Sequence, residues 1–161
     1  MRLTDLVEAG ASIGLGYDGA VAGFRNDMFE QIKLAVIIQR LQSMDPTESG
    51  PQQALTLATR GGAEFLGIEA GVLSPGLLAD ITVVSLNGPH MTPRPAPIPA
   101  VAFAARSTDV EMTIVGGEVI FEQGSCTKVD EQSVMEEAQG RATDLIKRLD
   151  LPIEINPGRS R

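Results

Sequence analysis

The sequence predicts an α/β fold from three local patterns. Between Asp27 and Gln42, apolar residues recur at helical spacing. Asp80–Leu86 is rich in β-branched residues and reads as a strand. Met112–Val115 and Glu118–Glu122 flank Gly116-Gly117, the pattern of a tight hairpin.

The elements follow in order. Thr4–Ala9 reads as the end of a helix stopped by Gly10. Ser12–Leu15 reads as a short buried strand leading into Gly16-Tyr17-Asp18-Gly19 and a small-residue loop up to Asn26. Asp27 has the character of an N-cap, and Glu30 stands where it would complete a capping box. Met28, Ile32, Ala35 and Ile38 share one face of the helix that follows. Leu34, Ile37 and Leu41 widen the stripe, so most of its surface is expected to be covered. Asp45-Pro46 marks a turn. Pro51 suits the first position of a helix carrying Ala54, Leu55, Leu57 and Ala58. Gly61-Gly62 is expected to interrupt that helix before it ends at Gly67. Asn87–Pro99 holds five of the ten prolines and is expected to be irregular. Asp130 caps a last helix with Val134, Ala138, Ala142, Leu145 and Leu149 on one stripe, followed by a tail expected to fray. The strand at 12–15 stands alone, with no partner in the next sixty-odd residues, which is the first sign of a missing neighbour.

Composition narrows the function. A chain of 161 residues is about one domain. It is 43% hydrophobic and 21% charged, ordinary for a globular protein. A net charge of −8 repels phosphate backbones, so no nucleic-acid partner is expected. A single cysteine excludes an internal disulfide, and a single histidine excludes a multi-histidine metal site built from this chain alone. Asp5 and Glu8 interrupt the apolar stretch that a signal peptide needs. Apolar runs such as Leu34–Ile38 and Ala100–Ala105 fall far short of the roughly 20 residues of a membrane span. No membrane partner and a cytoplasmic location are therefore expected.

Five features bear on chemistry. Gly14-Leu15-Gly16-Tyr17-Asp18-Gly19 matches the dinucleotide fingerprint G-x-G-x-x-G. The next helix, however, opens only at about Asp27, and the position of the required acidic residue falls inside that helix. Asp18 precedes a glycine, as turn residues commonly do. It also stands where a barrel enzyme places a ligand or base, at the end of a strand. His90 lies in a proline-bounded loop with no second ligand in register, and reads as structural or solvated. Cys126 has no nearby base, and Asp130, Glu131, Glu136 and Glu137 read as a solvated, dipole-matched helix start.

Several stretches together resemble one family. Leu6-Val7-Glu8-Ala9-Gly10, Leu15–Gly19, Asp27-Met28-Phe29-Glu30, Ala54–Thr59, Gly71–Asp80, Pro89–Pro93 and Val115–Val119 occur in an order similar to the amidohydrolase superfamily. The nearest branch is that of S-adenosylhomocysteine/5-methylthioadenosine deaminases and chlorotriazine hydrolases. The likeness runs to about Leu149. It implies the C-terminal portion of a metal-dependent (β/α)8 barrel plus the C-terminal part of a small β-sandwich. Residues 1–70 would be the last barrel strand and its helices. Residues 71–129 would belong to the sandwich, with its hairpin at 112–122. Residues 130–150 would be a C-terminal helix, and 151–161 a frayed tail.

The likeness also implies a deaminase-type reaction. Water activated by a divalent metal, zinc or iron, opens a C–N or C–Cl bond of a purine- or triazine-like ring. Asp18 carries over as both metal ligand and general base; the family's histidine and glutamate positions would precede Met1. Tyr17 stands where the family usually has Thr or Ser, and Leu77-Leu78 where it has a charged pair. The chain is expected to bind no metal and to be inactive alone. Its expected partners are a missing N-terminal barrel portion or a second copy, burying Ile13, Leu15, Ile32 and Val36. The alternative is a non-catalytic association module or a subunit that completes a split barrel.

Overall fold

The computed structural model describes residues 2–19 and 25–151. The small-residue loop around 20–24 and the tail after Leu151, both read above from sequence, lie outside the described residues. The first half of the chain is helical: α1 (Leu3–Glu8), α2 (Met28–Ser43) and α3 (Pro51–Thr56). A π-turn at Leu57–Gly61 carries α3 on into α4 (Gly62–Leu66). The second half forms one antiparallel sheet in the order β1 (Ile81–Val84), β2 (Val110–Val115), β3 (Glu118–Glu122), β4 (Ser125–Cys126). A helix α5 (Pro97–Ala104) lies between β1 and β2, and α6 (Glu131–Arg148) follows the sheet.

The capping chemistry at α2 is half as expected. Asp27 Oδ1 accepts the N–H groups of Phe29 (2.9 Å) and Glu30 (3.4 Å), two donors with no partner inside the helix. Glu30 does not return the bond; its carboxylate lies 3.8 Å from Arg25. The hairpin is as read. Gly116 (φ 58°) and Gly117 (φ 84°) both take the left-handed conformation that a two-residue turn of this hand requires. β1 joins from the other side in register, Ile81 opposite Ile114 and Thr82 opposite Thr113.

Several expectations are corrected. Residues 12–15, expected to be a short buried strand without a partner, form no strand and are exposed or half-buried. The Leu15 N–H instead donates to Leu57 O at 3.0 Å. Gly61-Gly62 is a contact rather than a break. A Cβ on Gly61 would stand 2.6 Å from Ile13 O, and one on Gly14 would stand 2.9 Å from Gly62 Cα. The glycines let the extended segment lie directly on the helix, whose hydrogen bonding shifts to a π-turn there instead of stopping.

The third correction concerns the proline-rich stretch, whose end is helical. Pro97 and Pro99 occupy the first turn of α5, where a missing N–H removes no helix bond. That helix brings Ala102 against Ile32, Val36 and Ala54 to form the buried core, with Phe29, Leu55 and Phe103 packed around it. Ile32 and Val36 are therefore buried by this chain itself (3% and 0% exposed) and are not available to a partner. The opposite side of α2 stays open: Leu34, Ile37, Ile38 and Leu41 are exposed.

Candidate functional site

Asp18 sits three residues beyond Leu15, the last anchored point of the extended segment. Its backbone is left-handed (φ 60°), which Asp tolerates better than most side chains. The carboxylate is exposed, and its Oδ1 accepts the N–H of Gly19 at 2.6 Å. No group of three or more His, Cys, Asp or Glu capable of holding a metal occurs among the described residues. Among the described residues the donor set at Asp18 is one carboxylate, fewer than the about three protein ligands of a catalytic metal site. Among the described residues, the first helix after the glycine motif starts at Met28.

The other candidates resolve into structural joints. His90 Nε2 lies 2.9 Å from Asp109 Oδ2, and both side chains are largely buried. Burial alone would raise the Asp109 pKa. The hydrogen bonds from His90 and from the Arg106 N–H, with the charge of both residues, outweigh it and hold the carboxyl below its ordinary range. The same turn is tied to α2, since Ser107 N–H donates to Asp27 Oδ2 at 3.2 Å. Asp27 therefore caps a helix with one oxygen and fastens the entry of β2 with the other. Asp80 Oδ1 accepts the hairpin N–H of Gly116 at 2.7 Å, while Gly117 N–H reaches Ala79 O at 3.0 Å. Cys126 donates its N–H to Glu131 Oε1 at 3.1 Å. Sequence reasoning missed these pairings. The partners of His90–Asp109 are 19 residues apart and those of Asp27–Ser107 are 80 apart, and no spacing rule joins such pairs.

A cleft of about 720 Å³ opens between the helical layer and the sheet. Phe29, Leu55, Val72 and Ile81 give it an apolar lining, and Asp27, Gln52 and Thr82 add polar groups. Asp18 is not among its lining residues.

Comparison with known proteins places this arrangement. Residues 1–120 match the family model described as "Amidohydrolase family". A 5-methylthioadenosine/S-adenosylhomocysteine deaminase of Pelotomaculum thermopropionicum is 38% identical over 147 residues, 91% of this chain and 34% of that protein. Among solved structures, a zinc-bound adenosine deaminase from Xanthomonas campestris superposes with a TM-score of 0.83 at 25% identity, over 89% of this chain and 33% of that one. The zinc complex of atrazine chlorohydrolase TrzN from Arthrobacter aurescens gives a TM-score of 0.75 at 25% identity, over 83% of this chain and 30% of that one. The chain thus spans about a third of the length of the relatives it matches. The anchored segment ending at Asp18, the capped α2 and the stapled hairpin turn lie within the matched stretch, and the chain belongs to the amidohydrolase family.

Proposed function

We propose that the chain is the C-terminal third of a hydrolase that deaminates a purine-like ring, and that Asp18 is its general base. The observation that supports this most is the 38% identity to a 5-methylthioadenosine/S-adenosylhomocysteine deaminase over 91% of the chain. In the reaction, a water oxygen bonds to the ring carbon that bears the amino group. The Asp18 carboxylate takes the proton that water gives up, and the proton passes to the leaving nitrogen, which departs as ammonia. An exposed carboxylate whose second oxygen lies outside its Gly19 bond suits that task, since it keeps an oxygen free to take the proton. The divalent metal of the complete protein, zinc or iron, would take Asp18 as one donor and its remaining donors from outside this chain. Residues 1–70 then belong to the barrel and 71–129 to the sandwich. Dechlorination of a triazine is the second outcome the family allows, favoured by the likeness to the chlorohydrolase.

Joining residues 1–161 to the upstream two-thirds of the Pelotomaculum thermopropionicum deaminase tests the reading. Ammonia release from 5′-methylthioadenosine or S-adenosylhomocysteine is expected, with chloride release from atrazine absent or far slower. A folded, metal-loaded hybrid that releases neither would refute the enzyme reading and leave the association module in its place.

A further inference from the structure

Asn87-Gly88 is the one place in the chain where an asparagine precedes a glycine. Such a pair is chemically labile. The glycine N–H can attack the asparagine side-chain amide, and no Cβ obstructs the approach. The pair joins β1 to a short turn at Pro89–Met91, and Asn87 is exposed. Two groups converge on it. Arg94 donates from Nη2 to Asn87 Oδ1 at 3.4 Å and from Nη1 to the Leu86 carbonyl. The guanidinium is thus held at the oxygen of the labile amide, where it stabilises negative charge that develops there. The His90 ring lies against Gly88: a Cβ on that glycine would stand 2.5 Å from Cε1 and 2.8 Å from Nδ1.

The ring is held by its other nitrogen, Nε2, which lies 2.9 Å from Asp109 Oδ2. A carboxylate only accepts, so in the neutral ring Nε2 carries the hydrogen and Nδ1 the lone pair. Among the described residues neither Nδ1 nor the Gly88 N–H has a hydrogen-bond partner. We propose that Asn87-Gly88 is a self-modification site, at which His90 and Arg94 speed the conversion of Asn87 to aspartate and isoaspartate. Gly88 N bonds to Asn87 Cγ and passes its proton to His90 Nδ1. The charge that gathers on Oδ1 rests beside Arg94. The Cγ–Nδ2 bond then breaks, and the nitrogen takes the proton from His90 and leaves as ammonia. Water opens the resulting cyclic imide at either carbonyl, giving aspartate or isoaspartate at position 87. The sum is one amide and one water converted to one carboxylate and ammonia, with no oxidant or cofactor. Either product adds a negative charge beside Arg94. The isoaspartate form also lengthens the main chain by one carbon between β1 and the His90 turn. The proposal is independent of the hydrolase reading.

Incubating the purified 161-residue chain at neutral pH tests this, with peptide mass spectrometry and enzymatic detection of isoaspartate as readouts. Acid and isoaspartate are expected to build up at position 87 well ahead of Asn26 and Asn156, which precede Asp and Pro. The folded chain should react at least ~10-fold faster than the same chain unfolded in guanidinium chloride, a modest share of what a positioned base supplies. That comparison needs no substitution. His90→Gln removes the base and Arg94→Gln removes the charge, and each should slow the folded chain by a similar factor. Circular dichroism and hydrogen exchange in the hairpin report that the variants keep their fold. A folded chain that reacts no faster than the unfolded one overturns the proposal. So does either folded variant reacting at the unsubstituted rate.

Discussion

Replacing Gly61 with alanine has an outcome that helix propensity alone gets wrong. In an ordinary helix interior, Gly→Ala stabilises by about 0.5–1 kcal/mol. At Gly61 the new Cβ would stand 2.6 Å from Ile13 O and 3.3 Å from Thr56 O. The first distance is closer than real Cβ contacts come, and both neighbours are backbone. Either the extended segment or the π-turn must shift by most of an ångström. Such overpacking costs roughly 1–3 kcal/mol. The shift also threatens the Leu15–Leu57 hydrogen bond, worth another ~1 kcal/mol. The net expectation is destabilisation by about 1–3 kcal/mol, read in urea unfolding and as faster hydrogen exchange at the Leu15 amide. Gly140→Ala is the matched control. Gly140 lies in the middle of α6 with nothing within 4 Å of its Cβ position, so it should gain stability of up to ~1 kcal/mol. Equal effects of the two substitutions would refute the close-approach account of the glycine pair.

Three further outcomes follow from the same structure. Asp80→Ala removes the acceptor of the Gly116 N–H and should cost roughly 1 kcal/mol, with exchange rising in the hairpin and not in α2. Val36→Ala opens a hole beside Ile32, Ala54 and Ala102 and should cost about 2–3 kcal/mol in denaturant; a cost under half a kcal/mol would mean the core closes elsewhere. Asp109 has a depressed pKa in the folded chain, so the stability it lends is fully present above its unfolded value of about 3.9 and is lost as pH falls through the lower folded value. His90→Ala should flatten that acid limb of the stability profile. An unchanged limb would place the acid sensitivity in another carboxylate.

The parts of the fold that read clearly from sequence are those set by neighbours in the chain. Asp27 before an apolar-periodic run, Gly116-Gly117 between β-rich runs and Asp130 before the last helix each carry their cause within a few residues. What stayed hidden depends on distant contacts. Gly61-Gly62 looks like a helix break until Ile13 is seen lying on it, and five prolines look irregular until two of them turn out to occupy a first turn. Ile32 and Val36 pointed toward an absent partner only because α5 was not anticipated. The family motifs show the same division. Asp80 and Gly116 stand in separate family-like stretches, and in the fold Asp80 accepts the Gly116 N–H; Asp27 and His90 likewise fasten the sheet entry. Asp18 stood out in the sequence through its place in the family pattern. In the structure it remains an exposed carboxylate at the end of a well-anchored segment, bonded only within its own turn among the described residues.

Asp18→Asn in the hybrid with the upstream two-thirds of the Pelotomaculum thermopropionicum deaminase tests the central claim most directly. The amide keeps the shape of the side chain and its bond from Gly19, but loses the charge and basicity that proton transfer requires. Ammonia release from 5′-methylthioadenosine should fall by at least ~10²-fold, the usual contribution of a positioned acid–base group. Deamination within about tenfold of the unsubstituted hybrid would contradict the account and place the base outside this chain.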